Sequence, residues 1–143
     1  IRTSDTRYFV DPSIAVAALG ITPDKLMHDM NTFGLLFETM AVRDLRVYAD
    51  AIDAKVYHYR DKDELECDAI IERRDGSYGL VEIKLGGDYA ISEAQITLNA
   101  LAKKINTDKV GKPSFRMVLT AIGKYALRLE DGTLVVPIGC LKH

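Results

Sequence analysis

Charged residues sit inside segments that otherwise read as apolar β-strands, and no other feature constrains the fold and chemistry of this chain so tightly. Glu66-Cys67-Asp68-Ala69-Ile70-Ile71 carries Asp68, and Leu80-Val81-Glu82-Ile83-Lys84-Leu85 carries Glu82 and Lys84. Inward positions of such strands are normally Val, Ile or Leu, because burying an unpaired charge is costly. Two carboxylates and an ammonium on neighbouring strands tolerate burial when a divalent cation and a phosphate complete the charge balance. The chemistry suggested is metal-assisted phosphodiester hydrolysis.

Period-two alternation places Glu82 and Lys84 on one face of their strand, with Val81, Ile83 and Leu85 on the other. Whether Asp68 joins them depends on the connecting turn. A two-residue turn at Asp75-Gly76 sets Asp68 opposite Ile83, whereas a three-residue loop, Arg74-Asp75-Gly76, sets it opposite Glu82. The three-residue loop needs a left-handed residue in third place, and Gly76 supplies one without steric cost. Turn chemistry therefore favours the register that assembles the site.

Glu38 adds a third carboxylate. At helical spacing it shares a face with Leu35, Val42, Leu45 and Ala49, where a carboxylate without a partner is unexpected. Asp68 and Glu82 are the expected ligands of Mg²⁺ or Mn²⁺, with the Ile83 carbonyl as a further oxygen, and Glu38 as a direct or water-mediated contributor. Lys84 is expected to position or deprotonate the attacking water and to offset charge on the phosphate.

The rest of the pattern supports one α/β domain over residues 1–143. Asp11-Pro12 caps a helix over Ile14 to Leu19 that Gly20 ends, after an extended Tyr8-Phe9-Val10. A second short helix starts near Pro23. Phe33, Leu36, Phe37, Met40, Leu45, Tyr48 and Ile52 mark the longest helix, from about Thr32 to Ile52. Strands over Lys55 to Arg60, Glu66 to Arg73 and Tyr78 to Leu85 follow, then a helix from Ser92 to Ile105 with Ala94, Leu98, Leu101, Ala102 and Ile105 inward. Phe115 to Thr120 is an apolar strand, and a hairpin of Tyr125 to Glu130 and Thr133 to Val136 turns at Asp131-Gly132. Close linkage makes the first three strands antiparallel, and the helical crossover makes Tyr78–Leu85 and Phe115–Thr120 a right-handed parallel pair. The expected fold is a mixed sheet flanked by the two long helices.

At 143 residues, 48% hydrophobic and 28% charged, the chain suits a soluble domain with a substantial core. No run is long enough to span a bilayer and no signal-peptide pattern opens the chain, so no membrane partner is expected. Its start at Ile1 without methionine is expected of a piece of a longer protein. A net charge of −2 argues against a diffuse nucleic-acid footprint, so contact with nucleic acid must come from a local patch or a missing part. The two cysteines, Cys67 and Cys140, lack metal spacing, and a reducing cytoplasm is the simplest location.

Asp68 followed by Glu82-x-Lys84 on the next strand, after a helical Glu38, resembles the PD-(D/E)XK nuclease superfamily with its restriction-endonuclease-like fold. More narrowly, Gly34-Leu35-Leu36-Phe37-Glu38, Tyr57-His58-Tyr59-Arg60, Glu66-Cys67-Asp68-Ala69-Ile70 and Val81-Glu82-Ile83-Lys84 resemble the DUF4143 domain. So do Tyr8-Phe9-Val10-Asp11-Pro12 and Val136-Pro137-Ile138-Gly139, so the resemblance covers nearly the whole chain. It implies a domain C-terminal to an AAA-type ATPase, with DNA as a partner and ATP handled only by that upstream part. No G-x-x-x-x-G-K-[ST] loop is present, and Val110-Gly111-Lys112-Pro113-Ser114 does not replace one. The superfamily's Pro-Asp pair is also replaced, by Cys67-Asp68. The rival expectation is a non-cutting module for nucleic-acid binding or ATPase assembly; oligomeric state is left open.

Each residue also has a plainer reading. Glu82 and Lys84 suit a cross-strand ion pair, and Glu38 a salt bridge within its helix to Arg43. Arg60 suits an exposed strand end, Gln95 an ordinary helix position, and Gly86-Gly87 a strand-to-helix turn. His28 and His58 have no partner at ligand spacing, and Cys67 suits core packing.

Overall fold

The structure is a computed structural model that describes residues 7–141. Its order is α1 (Pro12–Leu19), α2 (Pro23–Met27), α3 (Met30–Ala51), β1 (Ala54–Arg60), β2 (Glu66–Arg73), β3 (Tyr78–Lys84), α4 (Asp88–Lys104), α5 (Thr107–Val110), β4 (Phe115–Thr120), β5 (Leu127–Arg128) and β6 (Leu134–Pro137), followed by a 3₁₀ turn at Ile138–Cys140. The strands form one mixed sheet in the order β1-β2-β3-β4-β6-β5. β1, β2 and β3 pair antiparallel, whereas β3–β4 and β4–β6 are parallel.

Local signals explain most of the element ends. The Asp11 carboxylate accepts the Ser13 N–H at 2.8 Å at the head of α1, and Gly20 ends it in the left-handed conformation. Asp29 caps α3 by accepting from Thr32, so that helix begins slightly before the expected Thr32. Likewise α4 starts at Asp88 rather than Ser92, with an acidic residue in its first turn. The short α5 and the closing 3₁₀ turn carry too few residues to show a period.

Alternation sorts the core into two layers. Val81, Ile83, Ala69, Met117 and Leu119 pack with Phe37, Ala41, Val42 and Leu45 of α3. Tyr78, Leu80, Cys67, Val118 and Val135 pack with Ala94, Leu98 and Leu101 of α4. The two long helices therefore cover opposite faces of the sheet that they were expected to flank. Leu35 and Ile52 are exceptions to the expected α3 face, being mostly exposed. The last hairpin is shorter than its sequence suggests: Tyr125, Ala126, Leu129 and Glu130 lie outside β5, and only Leu127 and Arg128 pair with β6. Residues that turn the chain at Asp131 use its carboxylate, which accepts from the Thr133 N–H and hydroxyl.

Candidate active site

The β2–β3 connection is the expected three-residue loop. The Arg73 N–H donates to Ser77 O at 2.8 Å, the Gly76 N–H returns to Arg73 O, and Gly76 has φ +81°. The ladder runs from Glu72↔Tyr78 to Ala69↔Val81, and the next step in that register sets Asp68 against Glu82.

At that step the sheet becomes irregular. Pairing between β1 and β2 shifts from Tyr57↔Ile70 to Tyr59↔Cys67, so Asp68 and Ala69 oppose the single residue His58. Such a bulge twists the strand and re-aims a side chain. The Asp68 carboxylate accordingly turns onto β3, where Oδ2 accepts the Ile83 N–H at 2.7 Å. No sequence signal announced this bulge, since its cause lies in how β1 and β2 align.

Lys84 gathers the two carboxylates: its Nζ lies 2.9 Å from Glu82 Oε2 and 3.7 Å from Asp68 Oδ2. The Glu82 side chain is only 5% exposed and that of Asp68 13%. Burial first, and then the Asp68 charge, push the Glu82 carboxyl up to about 7. Burial likewise raises Asp68, against the opposing pull of Lys84 and the Ile83 N–H. For Lys84 burial favours the neutral amine, but Asp68 and Glu82 outweigh it and hold the ammonium above its ordinary value.

Glu38 enters from α3. Burial and the Asp68 charge raise its carboxyl, while a hydrogen bond from Tyr8 and the Lys84 charge oppose the rise. Its Oε1 accepts the Tyr8 hydroxyl at 2.8 Å. The intrahelical bridge to Arg43 does not form; Arg43 instead pairs with Asp11 and Asp44.

Sequence reasoning missed three neighbours. Tyr8 read only as extended chain, yet its hydroxyl engages Glu38 and its ring lies 5.8 Å from the Arg46 guanidinium carbon. Glu66 raises Glu38, Asp68 and Glu82 through its charge, and its Oε1 lies 2.8 Å from His58 Nε2. His58, set aside for lack of ligand spacing, thus joins the cluster across a strand boundary that spacing along one strand does not reveal. The i, i+2 relation of Glu66 to Asp68 was the one available signal.

The plainer readings hold elsewhere. Cys67 is fully buried in the α4 layer, its thiol pushed up to about 12 by burial. Arg60 is exposed and 3.8 Å from both Glu64 and Glu66. Gln95 helps hold the Asp131 carboxyl at the β5–β6 turn below the usual carboxylate range, a structural role.

Three carboxylates and one ammonium leave the cluster short of positive charge. Asp68 and Glu82 offer hard oxygens of the kind Mg²⁺ and Mn²⁺ prefer. Among the described residues no three His, Cys, Asp or Glu side chains are grouped to hold a metal ion unaided. Mg²⁺ commonly takes only one or two carboxylates and completes its shell with water and substrate phosphate, so the donor set fits such an ion.

The architecture is thus a mixed α/β domain with a six-stranded sheet between two long helices and a charged cluster where β2 and β3 part. A family model, described as Domain of unknown function (DUF4143), matches residues 33–141. The chain belongs to that family. No curated protein and no solved structure matches it. Among the described residues no helix is long and apolar enough to cross a membrane.

Proposed function

We propose that this domain is a metal-dependent phosphodiesterase of the PD-(D/E)XK kind, with a restriction-endonuclease-like fold, acting on DNA and working with an AAA-type ATPase upstream in the same protein. The observation that carries this reading is the Lys84 ammonium set between two buried carboxylates, Asp68 and Glu82, at the point where β2 and β3 stop pairing. Here burial and mutual repulsion raise the pKa values of Glu82 and Glu38 beside that one cation, the clustering of perturbed carboxyls that marks functional sites.

Asp68 and Glu82 would hold Mg²⁺ or Mn²⁺, which when bound neutralises phosphate charge and acidifies water. Ile83 fixes Asp68 through its N–H, so that carboxylate is oriented before any ligand arrives. Lys84 stays protonated and offers a cation to a phosphate oxygen. Glu38, steadied by Tyr8, is placed to orient water or accept a proton.

One observation favours a second reading, a non-cutting module for nucleic-acid binding or ATPase assembly: Lys84 already contacts both carboxylates, and among the described residues no third His, Cys, Asp or Glu is grouped with them to hold a metal ion. Nicking of plasmid DNA in Mg²⁺ or Mn²⁺ separates the two. Wild type should nick, and Asp68→Asn and Lys84→Ala should each lower the rate by about 100-fold or more, the scale of losing one charge-stabilising group. Equal background nicking by all three proteins would remove the catalytic reading.

A further inference from the structure

At the end of the sheet away from the acidic cluster lies a groove of about 340 Å³, between the C-terminal end of α4 and the start of β4. Its polar lining is Asn99, Lys103, Thr107, Lys112, Ser114 and Arg116, with no Asp or Glu among the residues that line it. We propose that this groove is a phosphate-binding site, separate from the acidic cluster, that takes the phosphate of a nucleotide or of a nucleic-acid strand.

Charge and rigidity argue for it. Lys103 and Lys112 are exposed and have no carboxylate within ion-pair distance among the described residues. Lys104, one residue along the helix, is in contrast held by both Asp61 and Asp63. Arg116 is braced from behind: its guanidinium donates to Asp131 O at 2.6 Å and lies 4.0 Å from Asp131 Oδ2. Asn99 donates to the same carboxylate at 2.7 Å. Asp131 thus offsets one positive charge while holding two groove residues in place, and leaves the two lysines uncompensated. Lysine and arginine with hydroxyl and amide donors are the groups that grip phosphate oxygens. In a chain of net charge −2, this is the kind of local patch that nucleic-acid contact would require.

The groove is out of reach of the acidic cluster. Lys84 pairs with Thr120, and Phe115 lies five residues back along β4, on the order of 17 Å at ~3.3 Å per residue. The two sites can therefore be tested apart.

The experiment measures binding in EDTA at low salt of three probes: inorganic pyrophosphate and dTMP by calorimetry, and a labelled twelve-nucleotide single strand by anisotropy. Wild type is compared with Lys103→Ala/Lys112→Ala and with Lys25→Ala/Lys55→Ala, which removes the same charge from exposed positions elsewhere. The groove variant should lose about tenfold or more in affinity, with the control within about twofold of wild type; for the strand its salt slope should fall by about 1.4. Binding of pyrophosphate and dTMP alone identifies a small phosphate ligand, and binding of the strand alone a nucleic-acid backbone; each supports the site. Equal losses in the two double variants, or no binding of any probe by wild type, would overturn it. Groove binding is read in EDTA, whereas the acidic cluster is read by metal-dependent nicking, so failure of the acidic cluster and of the groove are read separately.

Discussion

Two lysines in this protein each sit between two carboxylates, with opposite consequences. Lys84 bridges Asp68 and Glu82 inside the sheet, and both carboxyls are raised. Lys104 lies 2.6 Å from both Asp61 and Asp63 at the surface, and its hydrogen bond, with those from the Asp63 and Leu65 N–H groups, holds Asp61 below the usual carboxylate range. Composition is the same, and the Asp61 and Asp68 side chains are equally enclosed, each 13% exposed; the number of available donors differs. Around Lys104 two backbone amides satisfy Asp61 and water reaches Asp63, so the trio fastens the β1–β2 loop to α4. Inside the sheet the one ammonium is shared among carboxylates whose pKa values burial raises.

Removing each lysine gives the largest expected contrast. Lys84→Met leaves Asp68 and Glu82 without a cation and should cost about 3–5 kcal/mol, the scale for breaking a buried pair. Lys104→Met leaves Asp61 its two backbone N–H donors and Asp63 in water, and should change stability less. Urea unfolding at pH 8 in EDTA compares them, and equal losses would erase the distinction.

A pH series comes next in size. Glu82 retains its proton to about 7 in the fold against an ordinary 4.5, so between those values the native state binds more protons than the unfolded chain. Its contribution is therefore present at low pH and lost as pH rises through that window, by on the order of 3 kcal/mol. Asp61 has the opposite sign: its depressed pKa stabilises above its ordinary value of 3.8 and that stability is lost as the pH falls. Urea midpoints in EDTA should decline from about pH 5 to about pH 7.5 in wild type and decline less in Glu82→Gln. A wild-type curve that rises over this range would contradict the assignment of Glu82 as a buried, proton-retaining acid.

Added metal should offset that decline. A cation bound only by the folded state stabilises by about 2.7 kcal/mol at a hundredfold excess over its Kd. Mn²⁺ should raise the melting temperature of wild type and of Asp63→Asn, but not of Asp68→Asn. The same rise in all three proteins would place the ion elsewhere.

The smallest effect concerns the loop that aligns the buried trio. Gly76 has φ +81° with open space around the position of a Cβ, so Gly76→Ala should cost about 1 kcal/mol through backbone strain alone. Calorimetric melting checks this; no loss would mean that the left-handed position does not hold the register.

Much of this molecule was legible before its structure. Period-two and helical spacing located β2 and β4 at their observed ends and set the two long helices, α3 and α4, flanking the sheet. Proline, aspartate and glycine bounded α1, and Gly76 selected the loop that sets Asp68 against Glu82. Local rules suffice there because the deciding interactions lie within a few residues. The charged residues of β2 and β3 were equally plain, since a carboxylate among valines and isoleucines is conspicuous in sequence.

What tertiary structure decided is how those charges meet. The bulge opposite His58 turns Asp68 onto the Ile83 N–H, Tyr8 reaches Glu38 across 30 residues, and Glu66 is held by His58. The Asp131 brace behind Arg116 also joins a turn to a strand. Spacing along one element carries no record of such contacts, because they depend on the alignment of separate elements and on the burial that alignment creates. Residue type made Glu82 an acid; only its burial beside Asp68 raises its pKa to about 7, against the opposing pull of Lys84.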